Sequence, residues 1–376
     1  MNKDVPFKAS TLVDKNINFL FGSGVSAAYI PTLWIAKDTT YEDILSAPKF
    51  SITKPFIYWS YYNSIIKKSF CVPDEKNKAF NETMENYCLF ISKLVELTNK
   101  KGANQIRRAN IFTTNYDLFI EKSADRIQGK QQFILNDGSL GLIDRFLNVS
   151  NFHISSWHQG TNDFYRYEIP TINLIKMHGS VSWRKESESV IKINYPETIP
   201  NELSIELKNK DTMVDLIGYE DFSDTPEEYL SLDLEDEILL ERFYANYKKL
   251  AIVNPTKEKF EETVFQQHYY QSLRLLSYEL EKPQTVLICF GFSFKDEHIR
   301  EIISRSLSNP SLKIFIFCFK KENKDDIKEV FNDPRITFIH PENDKEENKI
   351  NFPRFINAIF HSSDDNGTEG LQWTSL

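Results

Sequence analysis

The sequence predicts an α/β protein built on a doubly wound, largely parallel sheet. Short apolar runs bounded by turn residues alternate with helical stretches along the chain. Several of these runs are apolar at successive residues, which is typical of strands covered on both faces. Repeated strand, helix, strand order favours parallel pairing within one sheet. We predict strands at residues 17–21, 109–115, 171–177, 250–254, 285–292, 312–319 and 336–340, and helices at residues 79–99, 117–127, 226–248, 257–281, 295–307, 323–332 and 351–360.

The length of 376 residues suits one large α/β domain with insertions. We predict this domain over residues 1–360, with inserted segments at about 40–105 and 180–248. Residues 361–376 are polar and are expected to form a C-terminal tail, in which Trp373 hints at a docking contact.

Composition and charge exclude several classes of protein. Hydrophobic residues make up 41% and aromatic residues 14% of the chain, which indicates a packed globule and not a disordered chain. No apolar run reaches the roughly 18 to 20 residues of a bilayer span, and the N-terminus lacks the apolar core of a secretory signal. We therefore expect a cytoplasmic protein without a membrane partner. The net charge is −9, with acids concentrated in residues 219–242, and this argues against direct binding of nucleic acid.

The cysteines predict neither a disulfide framework nor a metal site. They lie far apart in the sequence, and no Cys-x-x-Cys pair occurs. We therefore expect no zinc and no other bound metal. The four cysteines are Cys71, Cys88, Cys289 and Cys318.

A glycine-rich motif follows the first predicted strand. In FLFGSGVSAA, residues 19–28, the strand runs into Gly22 and Gly24 and then into a predicted helix. Glycine permits a tight turn and a close approach of backbone to ligand, and a helix N-terminus favours phosphate. The motif thus predicts a pyrophosphate site, the alternative being a turn that binds nothing. An ordinary dinucleotide-dependent dehydrogenase is disfavoured, because Pro31 interrupts the helix and no second strand leads to a ribose-binding acid.

Polar residues follow two further predicted strands. Thr114, Asn115 and Asp117 come after the strand at 109–115, and His178 comes after the strand at 171–177. Because ligands collect at the carboxyl ends of parallel strands, these side chains are expected to line one crevice, where an imidazole can accept a proton. The alternatives are helix capping for Asn115 or Asp117 and a structural hydrogen bond for His178.

A fourth motif, LICFGFSFKDEHI at residues 287–299, repeats the pattern of a buried strand followed by a loop and a helix. Gly291 and Ser293 lie in the loop. Asp296 at the start of the helix is interpreted as a helix cap.

Taken in order, GSGVS, TTNYD, MHGS and GFSF resemble the motif set of the sirtuins, over roughly residues 17–340. The phrases PTKEKF and GFSFKDEHI are similar to those of bacterial sirtuin-like proteins of anti-phage defence. The resemblance implies a Rossmann-like, NAD+-binding fold in which His178 is the base and Asn115 and Asp117 orient the ribose and the reacting water. It also implies which residues bind the rest of NAD+. Gly22, Ser23, Gly24 and Ser26 would hold the pyrophosphate and its neighbouring ribose, Gly291 and Ser293 would hold the adenosine side, and Thr114 would also contact the dinucleotide.

One departure decides which activity the resemblance implies. Sirtuin deacylases carry a zinc module with paired Cys-x-x-Cys motifs after the His-Gly element, and this chain has none. NAD+ hydrolysis to nicotinamide and ADP-ribose is therefore the leading hypothesis. The alternatives are a nucleotide-sensing module that binds NAD+ or ADP-ribose without turnover, a zinc-less protein deacylase, and an ordinary oxidoreductase.

An unregulated NAD+ hydrolase would drain the cell, so we expect control through assembly. The resemblance implies a homo-oligomer and, by analogy with other short sirtuin-like defence proteins, a ring ATPase partner of the HerA type. The aromatic segment at residues 56–66 is a candidate interface, with a buried core helix as the alternative. The acidic helix at residues 226–242 is a second candidate surface, with a solvated helix face as the alternative.

Overall fold

The computed structural model describes most of the chain. The described residues are 9–36, 39–46, 54–102, 105–161, 165–187, 190–208, 234–256, 263–331, 333–345, 348–360 and 371–375. The strands are β1 Asn16–Phe21, β2 Trp34–Ala36, β3 Thr39–Thr40, β4 Arg108–Thr113, β5 Ile134–Asn136, β6 Ser139–Leu140, β7 Arg145–Leu147, β8 Trp157–Gln159, β9 Arg166–Glu168, β10 Thr171–Lys176, β11 Gly179–Ser187, β12 Val190–Ile193, β13 Leu250–Ile252, β14 Thr285–Phe290, β15 Lys313–Phe317, β16 Ile336–Pro341 and β17 Leu371–Ser375.

The helices cover most of the predicted helical stretches. A π-helical turn at Tyr62–Ile66 joins the third and fourth helices. The α-helices are α1 Ala9–Leu12, α2 Tyr41–Leu45, α3 Lys54–Tyr61, α4 Lys67–Ser69, α5 Lys78–Asn99, α6 Phe119–Gln128, α7 Leu234–Tyr247, α8 Thr263–Glu281, α9 Glu297–Ser306, α10 Lys321–Val330 and α11 Phe352–Phe360.

The predicted doubly wound α/β fold is confirmed. An eight-stranded sheet runs in the order β17-β16-β15-β14-β1-β4-β10-β5. All neighbouring pairs are parallel except β16 with β17, which is antiparallel. The edge strand β17 belongs to the segment that we predicted as a polar tail, and residues 361–370 of that segment lie outside the described part.

The strand order places a topological switch point between β1 and β14. From β1 the chain builds outward through β4 and β10 on one side, and it later returns to β14, β15 and β16 on the other side. In open parallel sheets a crevice forms where the strand order reverses, at the carboxyl ends of the strands. The loops after β1 and β14 therefore meet at this crevice.

Helices cover both faces of the sheet, which explains the unbroken apolar runs in the strands. One face packs against α5, α6 and α11, with Phe19 and Phe21 of β1 buried there. The other face packs against α8, α9 and α10, with Leu20 of β1 buried there. Among the described residues, no helix is long and apolar enough to cross a bilayer.

The insertion at about 180–248 contributes strands to a second, antiparallel sheet. The strand order of this sheet is β13-β11-β12-β7-β6, and β11 begins at Gly179, directly after His178. The run predicted as a strand at 250–254 forms β13 in this sheet and pairs with β11, not with the parallel strands. Trp183 of β11 packs with Ile191 and Val253 in a small core of its own.

The aromatic segment at residues 56–66 packs inside the fold. It spans α3 and the π-helical turn, and its aromatic rings contact the core and α7. Tyr61 and Tyr62 are fully buried, and Tyr58 packs against Tyr247 of α7. The segment therefore serves as a core helix, which was one of the two interpretations drawn from the sequence.

Candidate functional site

The loops after β1 and β14 pack backbone against backbone at the switch point. The amide of Gly24 donates to the carbonyl of Gly291 over 3.0 Å, and the amide of Gly22 donates to the carbonyl of Phe290 over 3.2 Å. A Cβ atom on Gly24 would lie 2.6 Å from the Cα of Gly291, so a side chain has no room there. Gly291 itself adopts a left-handed φ of +67°, which favours glycine. These glycines thus hold the two loops together.

The helix predicted after the glycine motif does not form. Ser23–Val25 make a single 3-10 turn, and turns and bends lead on to Pro31. Since Pro31 cannot continue a helix, the chain leaves this region in extended form. The helix dipole that the sequence suggested for phosphate binding is therefore missing here, and the turn offers the exposed side chain of Ser23 instead.

One cavity opens at the switch point and collects the predicted site residues. All of them except Gly24 line it, and Gly24 lies behind the loop against Gly291. The predicted residues that line the cavity are Gly22, Ser23, Ser26, Thr114, Asn115, Asp117, His178, Gly291 and Ser293.

Asp117 is held by neutral donors on one side of the cavity. Ser26 Oγ donates to Asp117 Oδ2 over 2.8 Å and lies 2.8 Å from the hydroxyl of Tyr87. The amide of Phe119 donates to Asp117 Oδ1 over 3.2 Å. Burial raises the pKa of the Asp117 carboxyl, while the charge of Lys176 and the Ser26 hydrogen bond oppose that rise. Asp117 thus lines the cavity and also accepts from the first residue of α6, although the N-cap position of that helix is Leu118 and carries no side-chain cap.

A buried lysine, Lys176, contacts the loop between β4 and α6. Lys176 ends β10 with its side chain 2% exposed, and its Nζ lies 2.9 Å from Glu121 Oε1. It also donates to the backbone carbonyl of Asp117. Burial raises the pKa of Glu121, and the ammonium of Lys176 opposes that rise. The signal for this residue was a lysine within the apolar run TINLIKM, which sequence analysis passed over.

Asn115 lies on the loop that this lysine supports. Its backbone amide donates to Thr113 Oγ1 over 3.0 Å, which tightens the turn directly after β4. The Asn115 side chain opposes the rise that burial causes in the pKa of the Asp117 carboxyl. Asn115 is half-buried and lines the cavity, so its side-chain amide is available to a ligand.

His178 occupies the turn between β10 and β11 and meets a carboxylate from another strand end. Its Nε2 lies 3.4 Å from Asp296 Oδ2, with the two side chains 14% and 7% exposed. The carbonyl of His178 accepts from the amide of Val253 over 2.9 Å, which fixes the turn. Asp296 lines the same cavity and also caps α9, since the amide of Ile299 donates to its Oδ1 over 3.2 Å. The sequence indicated only the helix-capping role of Asp296, because nothing in the motif LICFGFSFKDEHI shows that His178 lies beside it.

Lys295 is a further lining residue that sequence analysis missed. It precedes Asp296 in the same loop, and its ammonium lies 5.1 Å from the centre of the Trp34 ring. Among the residues that line the cavity it supplies the positive charge that an anionic ligand needs. A lysine between a strand-end glycine loop and a helix start was the available signal.

The described residues offer no cluster suited to a metal. No group of three or more His, Cys, Asp or Glu side chains within the described ranges is arranged to hold an ion. The four cysteines are free, and burial raises the pKa of Cys71, Cys289 and Cys318, which keeps these thiols protonated.

A segment that contains much of this site matches a known protein family. Residues 109–211 match the family model of the SIR2-like domain. That segment includes the Asn115–Asp117 loop, Lys176 and His178. No curated protein matches the chain. Among solved structures the chain is similar to a Sir2 homologue that carries a point substitution and is bound to ADP-ribose, at 15% identity and a TM-score of 0.37, with 84% of each chain covered.

Proposed function

We propose that this chain binds NAD+ and hydrolyses its bond between nicotinamide and ribose, releasing nicotinamide and ADP-ribose. The observation that carries the proposal is the meeting of Asn115, Asp117 and His178 at one cavity beside the switch point. The match of residues 109–211 to the SIR2-like domain supports the same ligand class. Ligand binding at a switch point is the general behaviour of doubly wound sheets.

The proposed binding mode distributes NAD+ along the cavity. Lys295 and the hydroxyls of Ser23 and Ser293 form its polar and cationic wall, which suits the pyrophosphate. Thr114 and the Asn115 amide face the space beside His178, where the nicotinamide ribose would lie. Ser26 lines the cavity too, but its hydroxyl is already bonded to Asp117, so we assign it to holding that carboxylate.

The proposed reaction balances with water as the second reactant. The bond between C1′ and the nicotinamide nitrogen breaks, and its electron pair leaves with nicotinamide, which departs as a neutral molecule. The positive charge that develops on the ribose is stabilised by the substrate phosphates and by Asp117. Water oriented by Asn115 then bonds to C1′, and His178 takes its proton.

Nicotinamide release tests this function directly. Purified protein is incubated with NAD+ and the products are separated by chromatography. We expect Asn115→Ala and His178→Ala to lower turnover at least ~100-fold, in line with loss of a general base or its oriented water. His153→Ala is the matched control, because this histidine is exposed and does not line the cavity. Near-wild-type turnover in both folded site variants would refute the assignment.

The alternatives give different products. Binding of NAD+ or ADP-ribose without consumption, under every activating condition tried, would favour a sensing module. Deacylation of an acyl-lysine peptide would favour the zinc-less deacylase, and reduction of NAD+ would favour an oxidoreductase. Each assay uses the same protein preparation.

We further propose that this hydrolysis acts in the cytoplasm as a regulated step of anti-phage defence, in a homo-oligomer paired with a ring ATPase of the HerA type. The support is the motif resemblance in GSGVS, TTNYD, MHGS and GFSF. An exposed apolar hairpin supports an assembly surface, since Leu142 and Ile143 are 93% and 87% exposed between β6 and β7. Light scattering with and without the product of the neighbouring gene tests the assembly. A monomer with full activity alone would contradict it.

A further inference from the structure

We infer that Asp296 is a positioning residue that fixes the ring of His178 and stabilises its protonated form during the reaction, with Tyr269 holding the carboxylate. The inference rests on the proposed function of His178 as the base. It assigns a partner to His178 from a loop that lies more than a hundred residues further along the chain.

The first observation is that one oxygen of Asp296 is already committed. Oδ1 accepts from the hydroxyl of Tyr269 over 3.0 Å and from the amide of Ile299 over 3.2 Å. Two donors on one oxygen prevent the carboxylate from rotating, so Oδ2 stays directed toward His178 Nε2 at 3.4 Å. A distance of this length shortens in many sites when the ligand binds.

The second observation is that Tyr269 touches both partners. Its ring centre lies 5.7 Å from that of His178, and its hydroxyl donates to Asp296. Burial raises the pKa of Tyr269, with the charge of Asp296 adding to the rise, so the phenol stays protonated and remains the donor. The tyrosine thus limits the movement of both the imidazole and the carboxylate.

The third observation concerns the two nitrogens of His178. Nε2 is buried, has no hydrogen-bond partner among the described residues, and lies 3.4 Å from Asp296 Oδ2, which is the acceptor nearest in position for its proton. With its proton directed at the carboxylate, the lone pair stands on Nδ1, and this nitrogen takes the proton from water. The carboxylate then faces an imidazolium in a largely buried setting, where the attraction between them exceeds its value in water.

Other charged groups lie near His178 and are not altered by substitution of Asp296. His298 packs against Tyr269, with ring centres 6.1 Å apart. Charged side chains that line the cavity besides Asp296 and His178 are Glu42, Asp117 and Lys295. A change at the His178 ring on substitution of Asp296 therefore reports on the pair.

Asp296→Asn is the test, because its amide oxygen keeps the cap on α9 and the bond from Tyr269 while the charge is lost. We expect kcat for NAD+ hydrolysis to fall roughly 10-fold or more with KM little changed. Tyr269→Phe should give a smaller loss of the same kind. Glu297→Gln is the matched control, because this neighbouring carboxylate is exposed and lies outside the cavity lining.

A second measurement separates this inference from the proposed function. Long-range proton–nitrogen NMR spectra of His178, without substrate, should show the neutral ring protonated on Nε2 in the unsubstituted chain and on Nδ1 in Asp296→Asn, where an NH2 group replaces the accepting oxygen. This change of tautomer is expected even if the chain hydrolyses no NAD+. An unchanged tautomer of His178 overturns the inference, and so does a rise in KM with kcat unchanged, which would make Asp296 a substrate-binding residue.

Discussion

The contact between the loops after β1 and β14 can be tested by adding one methyl group at Gly291. This residue has a φ of +67°, where an L side chain is strained. A Cβ atom there would lie 2.6 Å from the amide nitrogen of Val25 and 2.8 Å from the Cα of Gly24. Both neighbours are backbone atoms, so no side chain can swing aside to make room.

The expected cost of Gly291→Ala combines these two effects. The left-handed backbone costs about 1–2 kcal/mol, and forcing an extra carbon into a packed site costs about 1–3 kcal/mol. We therefore expect the free energy of unfolding to fall by about 2–5 kcal/mol, measured by urea denaturation followed through tryptophan fluorescence. Because the two loops border the cavity, affinity for NAD+ should fall as well.

Gly129→Ala is the matched control for this experiment. Gly129 follows α6 with a φ of −67°, and no atom lies within 4 Å of the position that its Cβ would take. Alanine at such a site is expected to be neutral or stabilising by about 0.4–1 kcal/mol, through the unfolded chain. If Gly291→Ala proved as stable as Gly129→Ala, the loop contact would not be the reason for glycine at this position.

Two further predictions concern buried ionisable groups. Burial lowers the pKa of His268 from 6.5 to about 4. The contribution of this histidine to the free energy of unfolding is therefore fully present above pH 6.5, and it falls by about 3 kcal/mol in total as the pH drops toward 4. Urea denaturation at several pH values measures this dependence. His268→Gln should reduce the dependence of the free energy of unfolding on pH, and the exposed-site control His153→Gln should not. An unchanged dependence in His268→Gln would contradict the lowered pKa of His268. Lys176→Met removes the cation that contacts the buried carboxylate of Glu121 and should cost about 3–5 kcal/mol, of which adding Glu121→Gln should restore a part. Strictly additive losses in this double-mutant cycle would show that the pair does not interact.

Most of the central sheet could be predicted because its strands are buried on both faces. Continuous apolar runs marked β1, β4, β10 and β14, since helices cover each of them. The same pattern also marked β13, which lies in the antiparallel sheet beside β11. An apolar run reports burial and not the partner strand, so the sequence could not assign β13 to its sheet.

The candidate site could be predicted as far as strand ends determine it. Parallel strands bring their carboxyl ends to one edge, and this alone gathers Asn115, His178 and Gly291 around the cavity. Contacts between side chains of distant segments could not be predicted. Ser26 bonds to Asp117 across 91 positions of sequence, and no local pattern in either segment indicates the other.

Asp117 and Asp296 each have one carboxylate oxygen at the start of a helix and the other at the cavity. Asp117 Oδ1 accepts from the amide of Phe119 at the start of α6, and its Oδ2 accepts from Ser26 at the cavity. Asp296 Oδ1 likewise accepts from the amide of Ile299 in α9, while its Oδ2 faces His178. A carboxylate has two oxygens, so one can be anchored by a rigid helix while the other is held in place for the site. Because the anchor is a backbone amide, the oxygen of an asparagine preserves it, while the second oxygen is replaced by an uncharged NH2 group that donates. Asp→Asn is therefore the informative change at both positions.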